Sequence, residues 1–592
     1  MNQPALSTGL PAPSSVQQQL DPQLRVAQAA LALVLLAMLA FLAAPLLAIL
    51  TQALEDASGR FVGLANFIAY ARTPALLDSL GNSLWVSALV TAIIIPLAFG
   101  FAYALQRSRM RFKPLFRGIT LLPLLAPSLL AAISLIYWFG NQGVLKDAMQ
   151  AVGITQIYGA PGIVLAECFA VFPHALMILI TALGAADGRL YEAAAAMGTR
   201  PWRRFFTITL PGAKYGLISA ALVSFTLVLT DFGIPKVIGG NFNMLATDVF
   251  KLVIGQQDFQ KGAVVALLLL APAVFTFAVD RWVAGRQTAL LTARAVPYRP
   301  ARKAWRDGLA TGYCVLVAAL VLAMMGMAVF ASFASFWPYN LAPTLDHYTT
   351  GLVDAEVGTA FVNSLTMAAG TAVFGTALVF AGAYLLEKTQ GASGARGGMS
   401  AHSPLRGRMS PDSLLRSLVR LLAMLPMAVP GLVLGLGYIF FFNAPGNPLG
   451  GLYHTMALLI ICTIAHFYTT GHLTAVTALK ALDAEFEAVS ASLKVPFWVT
   501  LRRVTLPICA PALIDIARYF FINAMTTISA VVFLYSSDTK VAAIGILNLD
   551  EAGEMGAAAA CAVLIAAVSG VAMGAFSALA WVVGRKHQAW RD

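Results

Sequence analysis

Charge is scarce in this chain: Asp, Glu, Lys and Arg make up 11% of 592 residues, against 59% hydrophobic ones. A soluble domain carries about 25% charged residues, and a chain so apolar has no means of keeping its surface wetted, so the soluble classes fall away. Cysteine is scarcer still, with Cys168, Cys314, Cys462, Cys509 and Cys561 each inside an apolar stretch and none in a CxxC pair. That excludes a disulfide framework and a thiolate metal centre, and leaves packing. No GxxxxGK[ST] loop occurs to cradle the phosphates of ATP, and no HExxH, paired Cys/His cluster or GxSxG elbow is present. No catalytic residue and no metal ligand is therefore assigned, and any energy must come from a partner. Acids within the apolar runs are few, which argues against a secondary transporter driven by an ion gradient, although two parallel halves would suit one.

What the chain has in abundance is apolar sequence in lengths that cross a membrane, about 20 helical residues each. Twelve runs are expected to span: 27–50, 81–105, 119–139, 161–183, 214–235, 262–283, 307–333, 359–386, 417–442, 455–479, 510–534 and 557–583. Pro96, Pro123, Pro127, Pro426 and Pro430 inside them are tolerated in lipid, where neighbouring helices satisfy the freed backbone. Residues 1–26, polar and without a cleavage site, read as a disordered cytoplasmic tail ahead of an uncleaved signal anchor, and 587–592 as a second tail. With the N-terminus cytoplasmic, 31 of the 39 Lys and Arg fall on that face, 7 on the other, and Arg518 within a run. The positive-inside rule then places both termini of this multi-pass membrane protein in the cytoplasm. The net charge of +12 is accounted for by topology and not by nucleic acid, and clusters such as Arg107, Arg109, Arg111 and Lys113 suit anionic lipid heads.

The chain is written twice. Asn82-Ser83-Leu84 returns as Asn363-Ser364-Leu365, Ala102-Tyr103-Ala104-Leu105 as Ala383-Tyr384-Leu385-Leu386, Leu122-Pro123 and Pro127 as Leu425-Pro426 and Pro430, and Trp202 with Leu210-Pro211 as Trp498 with Leu506-Pro507. The expected fold is all-α and integral to the membrane, about twelve transmembrane helices in two homologous six-helix halves, 27–283 and 307–586, in parallel repeat. A basic linker, 284–306, joins them, and a Gly, Ser and Arg-rich insertion loop, 388–415, interrupts the second.

After the fourth run, within 184–213, stands YEAAAAMGTRPWRRFFTITLP. Asp187 is placed to cap a helix over about 188–197, Gly198 to stop it in the left-handed region, and Pro201 to begin another helix. The same kind of loop, 480–508, follows the tenth run. The pattern EAA, then Gly, then Leu-Pro resembles the EAA loop of bacterial ABC importer permeases, through Glu192, Ala193, Ala194, Gly198 and Pro211. The second copy departs from it: Ala488 stands opposite Glu192, Glu487 one residue earlier, and Lys494 opposite Gly198, so that its turn is expected to be built differently. The two-half layout is similar to fused permeases of the ferric-iron, thiamine and phosphonate group. The resemblance implies a type I importer fold, docking of both loops into ABC ATPase subunits (two copies), which bind the ATP and Mg while this chain carries no cofactor, and delivery of cargo by a periplasmic binding protein.

Ionisable groups inside spans mark transport paths by default. Asp231, beside Gly233 and Pro235, either faces a central path or caps the short segment after it. Glu167 and His174, two turns apart on one face, form either a polar track or a packing pair. Asp515 and Arg518 are expected to neutralise one another. His466 and His472 are read as interhelical hydrogen-bonding groups, and Asn82 and Asn363 as helix-end groups. The segment 229–272 is similar to that of permeases assigned to 2-aminoethylphosphonate import, which implies that cargo, with ferric iron or thiamine as the alternative.

Overall fold

The computed structural model describes residues 22–288, 296, 298, 300–353, 355–388, 411–483, 485–493 and 495–587. The expected tails at 1–21 and 588–592, most of the insertion loop (389–410), linker residues 289–295 and Lys494 lie outside the described residues. The first half comprises α1 (Arg25–Leu54), α2 (Pro74–Arg107), α3 (Lys113–Leu121), α4 (Ser128–Phe139), α5 (Ala160–Gly184), α6 (Gly188–Ala196), α7 (Pro201–Thr230), α8 (Gly233–Ile238), α9 (Leu245–Phe250) and α10 (Phe259–Thr288). The second comprises α11 (Ala304–Phe333), α12 (Ala355–Lys388), α13 (Pro411–Met424), α14 (Gly431–Phe442), α15 (Met456–Lys480), α16 (Glu485–Ser492), α17 (Phe497–Thr526), α18 (Ala542–Glu551) and α19 (Met555–His587).

Among the described residues, ten helices are long and apolar enough to cross a membrane. The third and ninth expected spans are instead bent pairs, α3 with α4 at 100° and α13 with α14 at 115°. The repeated prolines explain both bends. Pro127 and Pro430 force the residue before them, Ala126 and Val429, into extended backbone (ψ 147° and 118°), and no helix runs through an extended residue.

Two other expectations need correction. The fifth and eleventh spans run over 201–230 and 497–526, not 214–235 and 510–534. Their C-terminal neighbours, Asp231 and Thr527, are both extended, at ψ 135° and 139°. The apolar stretches that follow leave the helix and return as the short buried helices α8, α9 and α18. Asn82 and Asn363 lie inside α2 and α12, not at their ends, and brace those returns. The Asn82 amide donates to the Asn243 carbonyl (3.1 Å), and the Asn363 amide to Asp538 and Lys540 (2.8 and 3.0 Å). Next to them, Ser83 and Ser364 each accept the first backbone N–H of a short helix, from Leu245 and Ala542, both at 2.8 Å. The repeated Asn-Ser pair thus satisfies backbone that lipid would leave unpaired.

The halves exchange their first spans. One stripe of α1, Ala27, Leu31, Val34, Met38 and Leu42, is buried, and α1 packs on α13 and α14 of the second half. Tyr438 Oη donates to the Phe41 carbonyl at 2.6 Å across that contact. Reciprocally, α11 packs on α2, α3 and α4, and Trp138 Nε1 donates to the Ala323 carbonyl at 3.2 Å.

Candidate functional site

At one end of the molecule lie α6 and α16. Asp187 caps α6, accepting the Arg189 N–H at 3.0 Å. Gly198, at φ +68°, closes it: its N–H bonds the Ala195 carbonyl and the Thr199 N–H bonds Ala194, both at 3.0 Å, the paired bonds of a Schellman stop. In the second copy, the Val495 N–H bonds the Ser490 carbonyl at 2.9 Å, the same long bond 296 residues on. The expectation of a differently built second turn rests on Lys494, which lies outside the described residues. Pro201 starts a helix as expected, but that helix is not a separate surface element. It runs on into the membrane as α7 through a wide π turn, Phe205–Thr209, just as α17 does through Leu501–Thr505.

Glu192 and Ala193 are exposed, and Ala194 is buried beneath them. Glu487 and Ala488 lie on α16, which carries them at the same end of the molecule. The shared chemistry of the two loops is apolar. Leu190, Met197 (76% exposed) and Trp202 stand free in the first, and Phe486, Leu493 (70%) and Trp498 in the second, each pair 296 residues apart. Val489 is exposed opposite Ala193. Positions i, i+3 and i+7 share one helix face, so each short helix presents an uncovered apolar ridge. The departure from the EAA letters leaves this ridge intact, and the letters alone do not reveal it.

In the interior, Asp231 does what one of its two readings required: its Oδ2 accepts the Ile234 N–H at 2.8 Å and caps α8. The Glu167 carboxyl, 1% exposed, lies beside that of Asp231. Glu167 Oε1 has no partner. His174 does not join this group, and its Nδ1 is likewise unpartnered. The 296-residue repeat puts Thr463 and Thr527 where Glu167 and Asp231 stand, so the acids belong to one half only. The backbone around them is nonetheless symmetric. A Cβ on Gly233 would fall 2.6 Å from Ser128 Oγ, and one on Gly431 would fall 2.7 Å from Ser529 Oγ, a glycine–serine contact with its members exchanged between halves.

Asp515 and Arg518 pair as expected, at 2.9 Å. His466 and His472 do not show the expected hydrogen bonds: the Nδ1 atoms of both lack partners, and His472 stacks on Tyr468 at 5.6 Å. At the end opposite α6, the sequence reading missed a contact between the halves. Lys236 of α8 pairs with Glu551 of α18 at 2.7 Å, and Phe250 stacks on Phe533 at 6.1 Å. Residues so far apart in sequence carry no local signal of meeting.

The sequence matches the family described as "Binding-protein-dependent transport system inner membrane component" over residues 94–288 and again over 396–580. It is 28% identical over 524 residues to the ferric transport system permease protein FbpB of Actinobacillus pleuropneumoniae, covering 85% of this chain and 71% of that protein. The molybdenum transport system permease protein ModB of Escherichia coli is 28% identical over 207 residues, 90% of its own length but 34% of this chain. The ModB of Mycobacterium tuberculosis is 29% identical over 239 residues, 87% of its length and 40% of this one. Relatives with a single half and a relative that spans most of both thus align with the same chain. With two matched segments inside one all-helical membrane fold, the chain belongs to the family of binding-protein-dependent transport system inner membrane components, as a permease with both halves fused.

Proposed function

We propose that this chain is the membrane subunit of an ATP-driven importer, accepting cargo from a periplasmic binding protein and passing it to the cytoplasm by alternating access. The observation that carries the reading is the repeated uncovered apolar ridge on α6 and α16. Such a ridge, in water and in duplicate, suits two grooves on two copies of an ABC ATPase, which hold the ATP and Mg. The basic loops put this end in the cytoplasm, with both termini. When the ATPases close, α6 and α16 are drawn together. Each is joined through a short stop to a membrane helix, so the halves rock about the seam between them. Glu192→Arg reverses the charge on an exposed site, so the chain folds and inserts while uptake uncouples from ATP hydrolysis. Normal uptake at normal expression would sink the docking assignment.

Glu167 and Asp231, whose repeat positions in the other half are threonines, would give the path one acidic side and favour a cargo with a positive centre. Each cargo that the resemblance names, 2-aminoethylphosphonate, ferric iron or thiamine, carries a positive centre. The likeness of 229–272 to 2-aminoethylphosphonate permeases favours that zwitterion, whose ammonium is suited to the acids. The name of the Actinobacillus relative favours ferric iron. Uptake of labelled 2-aminoethylphosphonate and of ferric iron, in cells with and without this chain, separates them: the cargo is the one whose uptake is lost on deletion.

A further inference from the structure

At the membrane edge on the α6 side, α2 and α11 diverge and leave a cleft of about 300 Å³. Its lining is apolar and aromatic at Gly100, Tyr103, Leu309 and Tyr313 and basic at Arg107 and Arg306, and Arg107 Nη2 also donates to the Leu183 carbonyl at 2.9 Å. Arg107 is 5% exposed, yet its Nε has no partner. A buried guanidinium nitrogen left unpaired costs free energy that an acceptor in the cleft would recover. The segments that meet here, 107–113 and 302–307, hold seven Lys and Arg and one acid, Asp307. Asp307 is engaged already. It accepts the backbone N–H groups of Arg109 and Lys303 at 3.0 and 3.2 Å and the Arg306 guanidinium at 3.2 Å, which holds Arg306 at the cleft. Trp305, exposed beside it, is the residue type that sits at headgroup depth.

We propose that this cleft binds an anionic phospholipid, with its phosphate at Arg107 and Arg306 and an acyl chain along Tyr103, Leu309 and Tyr313. Apolar walls beside two arginines, at the ends of two helices long and apolar enough to cross a membrane, match that occupant in both charge and polarity. The site also touches the machinery beside it. Arg107 donates to the Tyr191 hydroxyl on α6 at 3.2 Å, and Tyr191 to Thr209 Oγ1 in the wide turn of α7 at 3.0 Å. Tyr103 packs on Phe205 of the same turn at 5.8 Å. The lipid site stands on this geometry whether or not α6 docks an ATPase.

The test is native mass spectrometry of the purified full-length chain, incubated with equal amounts of phosphatidylglycerol and phosphatidylcholine. The wild type retains phosphatidylglycerol selectively. Arg306→Gln lowers its retention about fivefold, the share of one basic residue at an anionic surface. Leu309→Trp, which fills the cleft from an exposed position, lowers it without a change of charge. Arg72→Gln removes an equal charge from an exposed position outside these two segments and leaves retention unchanged. Wild-type retention in either cleft variant, or an equal loss in Arg72→Gln, overturns the proposal.

Discussion

Gly216 and Gly198 meet opposite surroundings. A Cβ on Gly216 would lie 2.2 Å from the Ala182 Cβ, where α7 crosses α5, whereas one on Gly198 has nothing within 4 Å. Gly216→Ala must therefore push two membrane helices apart, an overpacking cost of about 1–3 kcal/mol. Gly198→Ala pays only for its left-handed backbone, about 1 kcal/mol. Thermal unfolding in detergent is expected to rank Gly216→Ala below Gly198→Ala, and the reverse order would contradict the close approach. Asp550, on α18 outside the spanning helices, gives a pH signature. Burial, with Glu551 adding to it and Lys236 opposing, pushes its carboxyl up to about 6. The folded chain then takes up a proton that the unfolded chain does not hold between the ordinary carboxylate range and pH 6. This group therefore adds stability as pH falls from 7 to 5. Asp550→Asn is expected to raise Tm at pH 7.5 and to flatten Tm against pH over that interval. An unchanged slope would refute the shift.

Three of the four π turns among the described residues obey one rule: Leu39–Ala43, Phe205–Thr209 and Leu501–Thr505 each end two residues before a proline, Pro45, Pro211 and Pro507. Proline has no N–H to give and its ring crowds the carbonyl four residues back, and widening the turn relieves both. The Leu-Pro pairs were legible in the sequence as repeats, yet they read as the end of a loop, because in water proline begins or ends a helix more readily than it crosses one. For the same reason the bends at Pro127 and Pro430 looked like continuous spans: apolar composition does not distinguish a straight helix from a buried turn whose backbone neighbours satisfy it. Glu167 and Asp231 were legible as acids in lipid, but their meeting was not, since it depends on where α7 ends. Pro211→Ala restores the missing donor and lets the turn close to α-helical pitch, which swings α6 about the axis of α7. The variant is expected to fold at least as stably as the wild type but to lose uptake. Wild-type uptake would mean that the wide turn does not set the position of α6.

At the scale of the whole molecule, the repeat announced two halves, whereas nothing in α1 or α11 announced that each would lie against the other half. That choice comes from packing, such as Gly437, where a Cβ would fall 2.6 Å from the Pro45 carbonyl. In the proposed rocking, the exchanged first spans would keep the halves joined, and the contact free to open would be the one between Lys236 and Glu551. With Glu551 52% exposed, that pair holds little free energy, about 0–1 kcal/mol, as suits a contact made and broken in each cycle. A covalent tie at the same place should stop the cycle. The native cysteines favour the experiment, since four are buried and Cys168 is half-buried, so a thiol reagent meets an engineered pair first. Lys236→Cys with Glu551→Cys, joined by a short reducible crosslinker in membranes, is expected to abolish uptake, and reduction to restore it. Either single variant treated alike should transport. If the crosslinked protein still transports, this end does not open in the cycle, and cargo must enter by another route.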